Sequence, residues 1–291
     1  MNIRVMGKPG IVARLLAFAT LLTALSTPAP GHSDPWGDIH PQVEVVDGNF
    51  AITFNTSRED EAFDHTDQKK VSRVTYSPDG RLIAPRHPLE RKRSWREMGP
   101  VGFYGRGVRF GDSTVIFEVD RNGQPGYLLK SPEANLSRVR LPWPKAVVLT
   151  LFEDATVTQD GIAITGKQDS ENLKFYWFPH ESTDAPTILN IGTTVRIYDF
   201  PVASNLAFAG GRFWVAYMKS EKETGTKLRL WSWKPGEKEA RDEALDSPGF
   251  WNSHLSLAAV GDRLCLAYHY VNEEREYEDA ARIVTVFREA K

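Results

Sequence analysis

Three side chains able to carry a proton or bind a metal occupy matching places along this chain. His40, Glu153 and His254 each stand eight residues before the second residue of a Gly or Asp turn, which falls at Gly48, Gly161 and Asp262. Tyr104 and Ala203 hold the same place ahead of Asp112 and Gly211. An imidazole titrates near neutral pH and serves as acid, base or ligand. Two imidazoles with one carboxylate form a donor set of the kind that holds a divalent cation, so His40, Glu153 and His254 are the candidate metal ligands. The plainer alternative is that polar residues stand here because they line a wet channel. Calcium is the candidate cation, because segments 57–70 and 272–279 are rich in carboxylates, among them Glu59, Asp60, Glu61, Glu273, Glu274 and Glu276. Carboxylates are its natural ligands, although acidic loop tips are also simply well solvated.

The spacing of these residues comes from a repeat. Five times a β-rich run, a tight Gly or Asp turn and a second apolar run follow one another: residues 40–54, 104–118, 153–166, 203–217 and 254–268. The second turn residues advance by 64, 49, 50 and 51 positions. A period near 50 in an all-β sequence predicts a five-bladed β-propeller of antiparallel blades. The blades fall at about 38–95, 96–145, 146–196, 197–247 and 248–291 of one domain covering 32–291. In each blade the Gly or Asp pair is expected to turn the chain between the inner two strands at positive φ. Third strands are expected at 71–76, 127–130, 173–178, 227–233 and 282–287. Only four residues follow Phe287, and the eight before His40 are too few for a substitute strand. The last blade is therefore expected to lack an outer strand, and the ring to close by packing alone.

The segments that precede innermost strands share one face of a propeller. That face makes Trp36, Trp95, Tyr104, Trp251 and His254 the candidate ligand-binding residues, with Tyr198 on the same rim. Aromatic rings there can stack on the apolar faces of sugars. Trp231 and Trp233 alternate on a third strand and read as packing between blades. Arg91, Lys92, Arg93 and Arg96 read as a solvated loop between blades.

Residues 1–31 carry Arg4, Lys8 and Arg14 without an acid, then an apolar stretch from Leu15 to Leu25, then small residues and prolines. This is the pattern of a secretory signal peptide, its apolar core too short to span a bilayer. Cleavage after Ser26 or after Gly31 satisfies the small-residue rule equally. Removing residues 1–31 moves the formal charge from −2 to −5, which disfavours nucleic acid and anionic lipid as partners. The expected location is secreted or periplasmic, with no stable membrane insertion and a monomeric chain. The single cysteine, Cys265, cannot form an internal disulfide and reads as a buried thiol.

The openings His40-Pro-Gln-Val, Glu153-Asp-Ala-Thr and His254-Leu-Ser-Leu, with the later Tyr268-His269, resemble those of the five-bladed glycoside hydrolases of family 43 and their sialidase-like relatives. The resemblance implies a general-acid role for Glu153. It also implies a base at the first opening and a second, orienting acid at the next, where this chain has His40 and Tyr104. Hydrolysis with inversion needs a proton donor and a base about 6.5 to 9.5 Å apart. Glu153 would be the donor, and Asp38 or His40 the catalytic base. Asp38 stands two residues before His40, roughly 6 to 7 Å along a strand. With the base carboxylate unmatched, the leading expectation is a non-catalytic channel-face site for a glycan or other extracytoplasmic small molecule. A glycoside hydrolase is the alternative, and a scaffold for an envelope or secreted protein the second alternative.

Overall fold

The computed structural model describes residues 29–32, 38–56, 69–93, 107–110, 113–119, 125–130, 137–140, 149, 151–169, 172–180, 186–194, 204–221, 225–245, 251–271 and 281–291. Everything said of the structure below concerns these residues. Runs of Val, Ile, Phe, Tyr, Trp and Thr, broken at Gly and Asp, form strands throughout, since branched and aromatic side chains pack well on a pleated surface. The first strand, β1 (Ala29–His32), joins the last sheet. Sheet I is β2 (Asp38–Val46), β3 (Asn49–Thr56), β4 (Lys69–Tyr76) and β5 (Leu82–Arg93). Sheet II is β6 (Gly107–Phe110), β7 (Ser113–Val119), β8 (Pro125–Lys130) and β9 (Ser137–Arg140). Sheet III is β10 (Leu151–Val157), β11 (Gly161–Lys167), β12 (Asn172–Pro179) and β13 (Thr187–Thr193). Sheet IV is β14 (Ser204–Ala209), β15 (Arg212–Glu221), β16 (Gly225–Trp233) and β17 (Arg241–Ala244). Sheet V is β18 (Trp251–Val260), β19 (Arg263–Val271) and β20 (Ala281–Glu289), with β1 outermost.

All pairings within these sheets are antiparallel. The third strands stand where the repeat places them. Sheet V, however, has the fourth strand that the sequence reading denied it: β1 pairs with β20, Ala29 opposite Thr285 and His32 opposite Ile283. That strand is Ala29–His32, almost all of it upstream of the eight residues that precede His40. Arg91, Lys92 and Arg93 belong to the outer strand β5 rather than to a loop; Arg96 lies outside the described residues.

Among the described first hairpins, that of sheet V turns at Gly261-Asp262 with only the glycine at positive φ. Asp47 and Gly48 both have positive φ, as do Gly210 and Gly211, and each pair makes a two-residue hairpin. Sheet III departs from the expectation. Its first hairpin spans four residues, 158–161, closed by the Thr158 N–H donating to the Gly161 carbonyl at 2.8 Å. Gly161 is absent from the positive-φ residues. It is glycine because a Cβ would come within 2.2 Å of the Phe178 carbonyl oxygen and 2.6 Å of the Trp177 ring.

One face of a sheet is buried only against its neighbour, and the apolar clusters sit accordingly. Val43, Phe50, Ile52 and Phe54 of sheet I pack with Cys265, Ala267 and Ile283 of sheet V. Trp214, Ala216 and Leu230 of sheet IV pack with Leu255, Leu257 and Leu266 of sheet V. Leu173, Phe175 and Trp177 of sheet III meet Phe213, Trp231 and Trp233 of sheet IV, so the two tryptophans pack between sheets as expected. Val115 of sheet II joins Ile162, Ile164 and Tyr176 of sheet III. Cys265 is fully buried, and burial pushes its thiol well above the usual range, a state in which it is a small apolar filler rather than a nucleophile.

The first strands of the sheets meet one another: β6 with β10, β10 with β14, β14 with β18, and β18 with β2. A repeated polar device fastens them. The Asp154 carboxylate of β10 accepts the Leu206 N–H of β14 at 2.8 Å. Asn205 of β14 accepts the Leu257 N–H of β18 at 3.3 Å, and the Ser256 hydroxyl of β18 accepts the Val43 N–H of β2 at 2.9 Å. Each backbone donor would otherwise be buried at a sheet boundary without a ladder partner, a loss of about 1–3 kcal/mol.

Candidate functional site

The ladders between first and second strands are interrupted where the chemistry-bearing residues stand. In sheet III, Phe152 faces Gly166 and Asp154 faces Thr165, leaving Glu153 as the extra residue. In sheet V, Ser253 faces His269 and Leu255 faces Tyr268, leaving His254. In sheet I, Ile39 faces Asn55 and Gln42 faces Thr53, so His40 and Pro41 share the single step at Phe54. The corresponding ladder of sheet IV runs from Ser204–Tyr217 to Ala209–Arg212 without a break. An extra residue bends its strand and re-aims the side chain it carries.

The three residues are not level. Counting paired rungs from each hairpin, Glu153 falls between the fourth and fifth, while His254 falls between the sixth and seventh and His40 near the sixth. The four-residue hairpin of sheet III absorbs two positions of the eight-residue count. Glu153 is therefore displaced toward its hairpin by about two residues, roughly 6 to 7 Å. The strands β2 and β18 that carry the histidines are direct neighbours, whereas β10 is separated from β18 by β14.

Glu153 has no exposed side-chain surface, and its Oε1 lies 3.5 Å from Nζ of Lys167, whose side chain is 5 % exposed. Lys167 occupies the sixth rung of its second strand. Phe54, Tyr217 and Tyr268 hold that rung in sheets I, IV and V, and all are buried. The sequence reading missed Lys167, although a cation at a position otherwise aromatic was the available signal. Around the pair the polar belt continues. Thr165, fully buried, donates its hydroxyl to the Asp154 carbonyl at 3.4 Å, and the Ala155 N–H donates to the Asp154 carboxylate at 2.8 Å.

A cation at Glu153 would share that carboxyl group with Lys167, and the side chains of the other two candidate ligands, His40 and His254, lie outside those described. Among the described residues no group of three or more His, Cys, Asp or Glu side chains is positioned to hold a metal ion. Asp38 opens β2 opposite Thr56, His40 follows two residues later, and Trp251 opens β18 opposite Val271. The side chains of Asp38, His40, Trp251 and His254 are not among those described. Trp36, Trp95, Tyr104, Tyr198 and the acidic segments 57–68 and 272–280 lie outside the described residues altogether.

No protein-family model matches this sequence. No curated protein matches it either. Solved structures are similar to it at low identity. The catalytic domain of a GH62 α-L-arabinofuranosidase from Coprinopsis cinerea shares 12% identity over 90% of this chain and 94% of its own, at a TM-score of 0.42. A GH43_1 enzyme from Xanthomonas citri shares 14% identity over 92% of each chain, at 0.45. The α-L-arabinofuranosidase CtGH43 from Clostridium thermocellum shares 12% identity over 87% of this chain and 91% of its own, also at 0.45. The glycoside hydrolases of family 43, which the strand openings resemble, are thus also among the solved structures to which the chain is similar.

Proposed function

We propose that this chain is an exported, carbohydrate-active β-propeller in which the five sheets stand as blades and the first strands gather at a hub that receives a glycan. Hydrolysis of a glycosidic bond is the reading that uses the hub residues most fully. Glu153 would donate the proton to the departing oxygen, and Asp38 or His40 would take a proton from the attacking water. One observation carries this reading: over the described rungs of the five first strands, the ladder breaks are at the steps that bear His40, Glu153 and His254. Backbone irregularity of this kind is characteristic of strands that aim side chains at a site. The rim tryptophans would supply the stacking surface for sugar rings. For Glu153 to act as the donor, its contact with Lys167 must open when substrate enters.

Glycan binding without turnover is the second reading, and the closed, wholly buried Glu153–Lys167 pair favours it. Wild-type protein and Glu153→Gln, assayed on aryl α-L-arabinofuranosides and β-xylosides, separate the two. Hydrolysis by wild type with a loss of 100-fold or more in Glu153→Gln supports the hydrolase. Equal background rates, with calorimetric binding of oligosaccharides, leave a binding protein. Neither turnover nor binding leaves a protein scaffold.

A further inference from the structure

We propose that the leader is cut between Ser26 and Thr27, so that strand β1 is retained in the exported protein. This inference rests on the export reading and goes beyond it by assigning the processed bond. The triplets Ala24-Leu25-Ser26 and Ala29-Pro30-Gly31 offer small residues at the same two positions, and the sequence alone leaves them equivalent. The fold does not. Ala29–His32 is the outermost strand of sheet V, antiparallel to β20. A cut after Gly31 would remove all of that strand except His32.

Retaining β1 gives sheet V the four-strand complement of the other four sheets. Losing it would leave β20 as a bare edge along a strand whose Ile283, Val284 and Thr285 are buried in the core. Such an edge is a template for pairing with other chains. Pro30 fits the placement, since an edge strand tolerates a residue without an N–H. Two residues, Thr27 and Pro28, would precede β1, so the new terminus lies close to the strand without entering it. The chemistry is ordinary hydrolysis: water adds across the Ser26–Thr27 amide, leaving a carboxylate on Ser26 and an ammonium on Thr27.

The test is the intact mass and N-terminal sequence of the full chain after secretion from a bacterial host. A chain starting at Thr27 is expected. A start at His32, or at any other residue downstream of Thr27, overturns the proposal, and retention of residues 1–26 overturns the export reading with it. Two variants sharpen the outcome: Ala24→Arg should abolish the cut, and Gly31→Arg should leave it unchanged. Blockage by Gly31→Arg alone would place the cut at the other triplet. A chain started at Thr27 should also melt several degrees above one started at His32, and equal melting would show that β1 is dispensable.

Discussion

Sheets III and IV share a four-stranded antiparallel template, and one rung sets their polar contacts in opposite directions. At the sixth rung of the second strand, sheet IV carries Tyr217, whose hydroxyl donates to Asp242 of the outermost strand at 3.0 Å, with Arg229 binding the same carboxylate at 2.9 Å. Sheet III carries Lys167 there, turned to Glu153 of the innermost strand. In sheet IV the polar contact runs to the outermost strand, and the first strand is unbroken over its described rungs. In sheet III it runs to the first strand, which bulges there. The same framework thus directs polar chemistry outward in one sheet and inward in the next through two positions, the rung residue and the strand-opening residue. Fold-level likeness does not reveal such a difference, because function lives in the site rather than the scaffold.

Removing Lys167 tests this contrast most severely. Lys167→Ala withdraws the cation that stands 3.5 Å from a buried carboxyl group, and a loss of about 3–5 kcal/mol is expected in urea unfolding. Tyr217→Phe removes a neutral donor from a carboxylate that keeps Arg229, and about 1 kcal/mol is expected. The double variant Glu153→Gln with Lys167→Met should recover most of the first loss, since an uncharged pair carries no stranded ion. Equal effects of Lys167→Ala and Tyr217→Phe would show that the two rungs are energetically alike.

A smaller graded effect is expected at the fastenings between first strands. Asp154→Ala removes a charged acceptor from the sheet III to IV junction, at about 1.5–3 kcal/mol. Asn205→Ala and Ser256→Ala remove neutral acceptors, at about 1 kcal/mol each. Chemical denaturation of the three variants orders them, and a reversed order would mean that the carboxylate is not the stronger fastener.

The mildest effect is a pH dependence. Burial foremost, and then the negative charge of Asp242, hold the Tyr217 phenol well above its ordinary value of 10.0. Burial likewise raises Tyr76, Tyr176 and Cys265. A raised folded-state value favours the protonated form in the fold. The stabilisation is therefore complete below the ordinary values and is lost as pH rises through the folded ones. Stability followed by denaturant midpoint should fall progressively above about pH 9 to 10, where Cys265 and the tyrosines ionise in the unfolded chain, and Tyr217→Phe should flatten part of that slope.

The repeat and the third strands were legible in the sequence because Gly and Asp turns interrupt apolar runs at a nearly constant interval. The outer strands β5, β13 and β17 were not, since a strand with one face toward solvent, such as Thr187–Thr193 or Arg241–Ala244, has a composition close to that of a loop. The level of Glu153 was misread because residue counting cannot distinguish a four-residue hairpin from a two-residue one, and Gly161 served close packing rather than a positive φ. The fastenings had a signal that went unused: Asp154, Asn205 and Ser256 recur at intervals of 51 residues inside apolar strands. The ion pair had another in Lys167. The origin of β1 had none, because pairing between residue 29 and residue 285 leaves no mark on local pattern.

That last pairing sets a schedule for folding. β1 (Ala29–His32) is made long before β20 (Ala281–Glu289), so sheet V stays incomplete until sheets I to IV have emerged. A chain stopped before Ala281 has an upstream segment without its partner and presents open strand edges, the form most readily captured by proteases or by other unfinished chains. Contacts of such long sequence separation also slow folding, which makes completion of sheet V a late step.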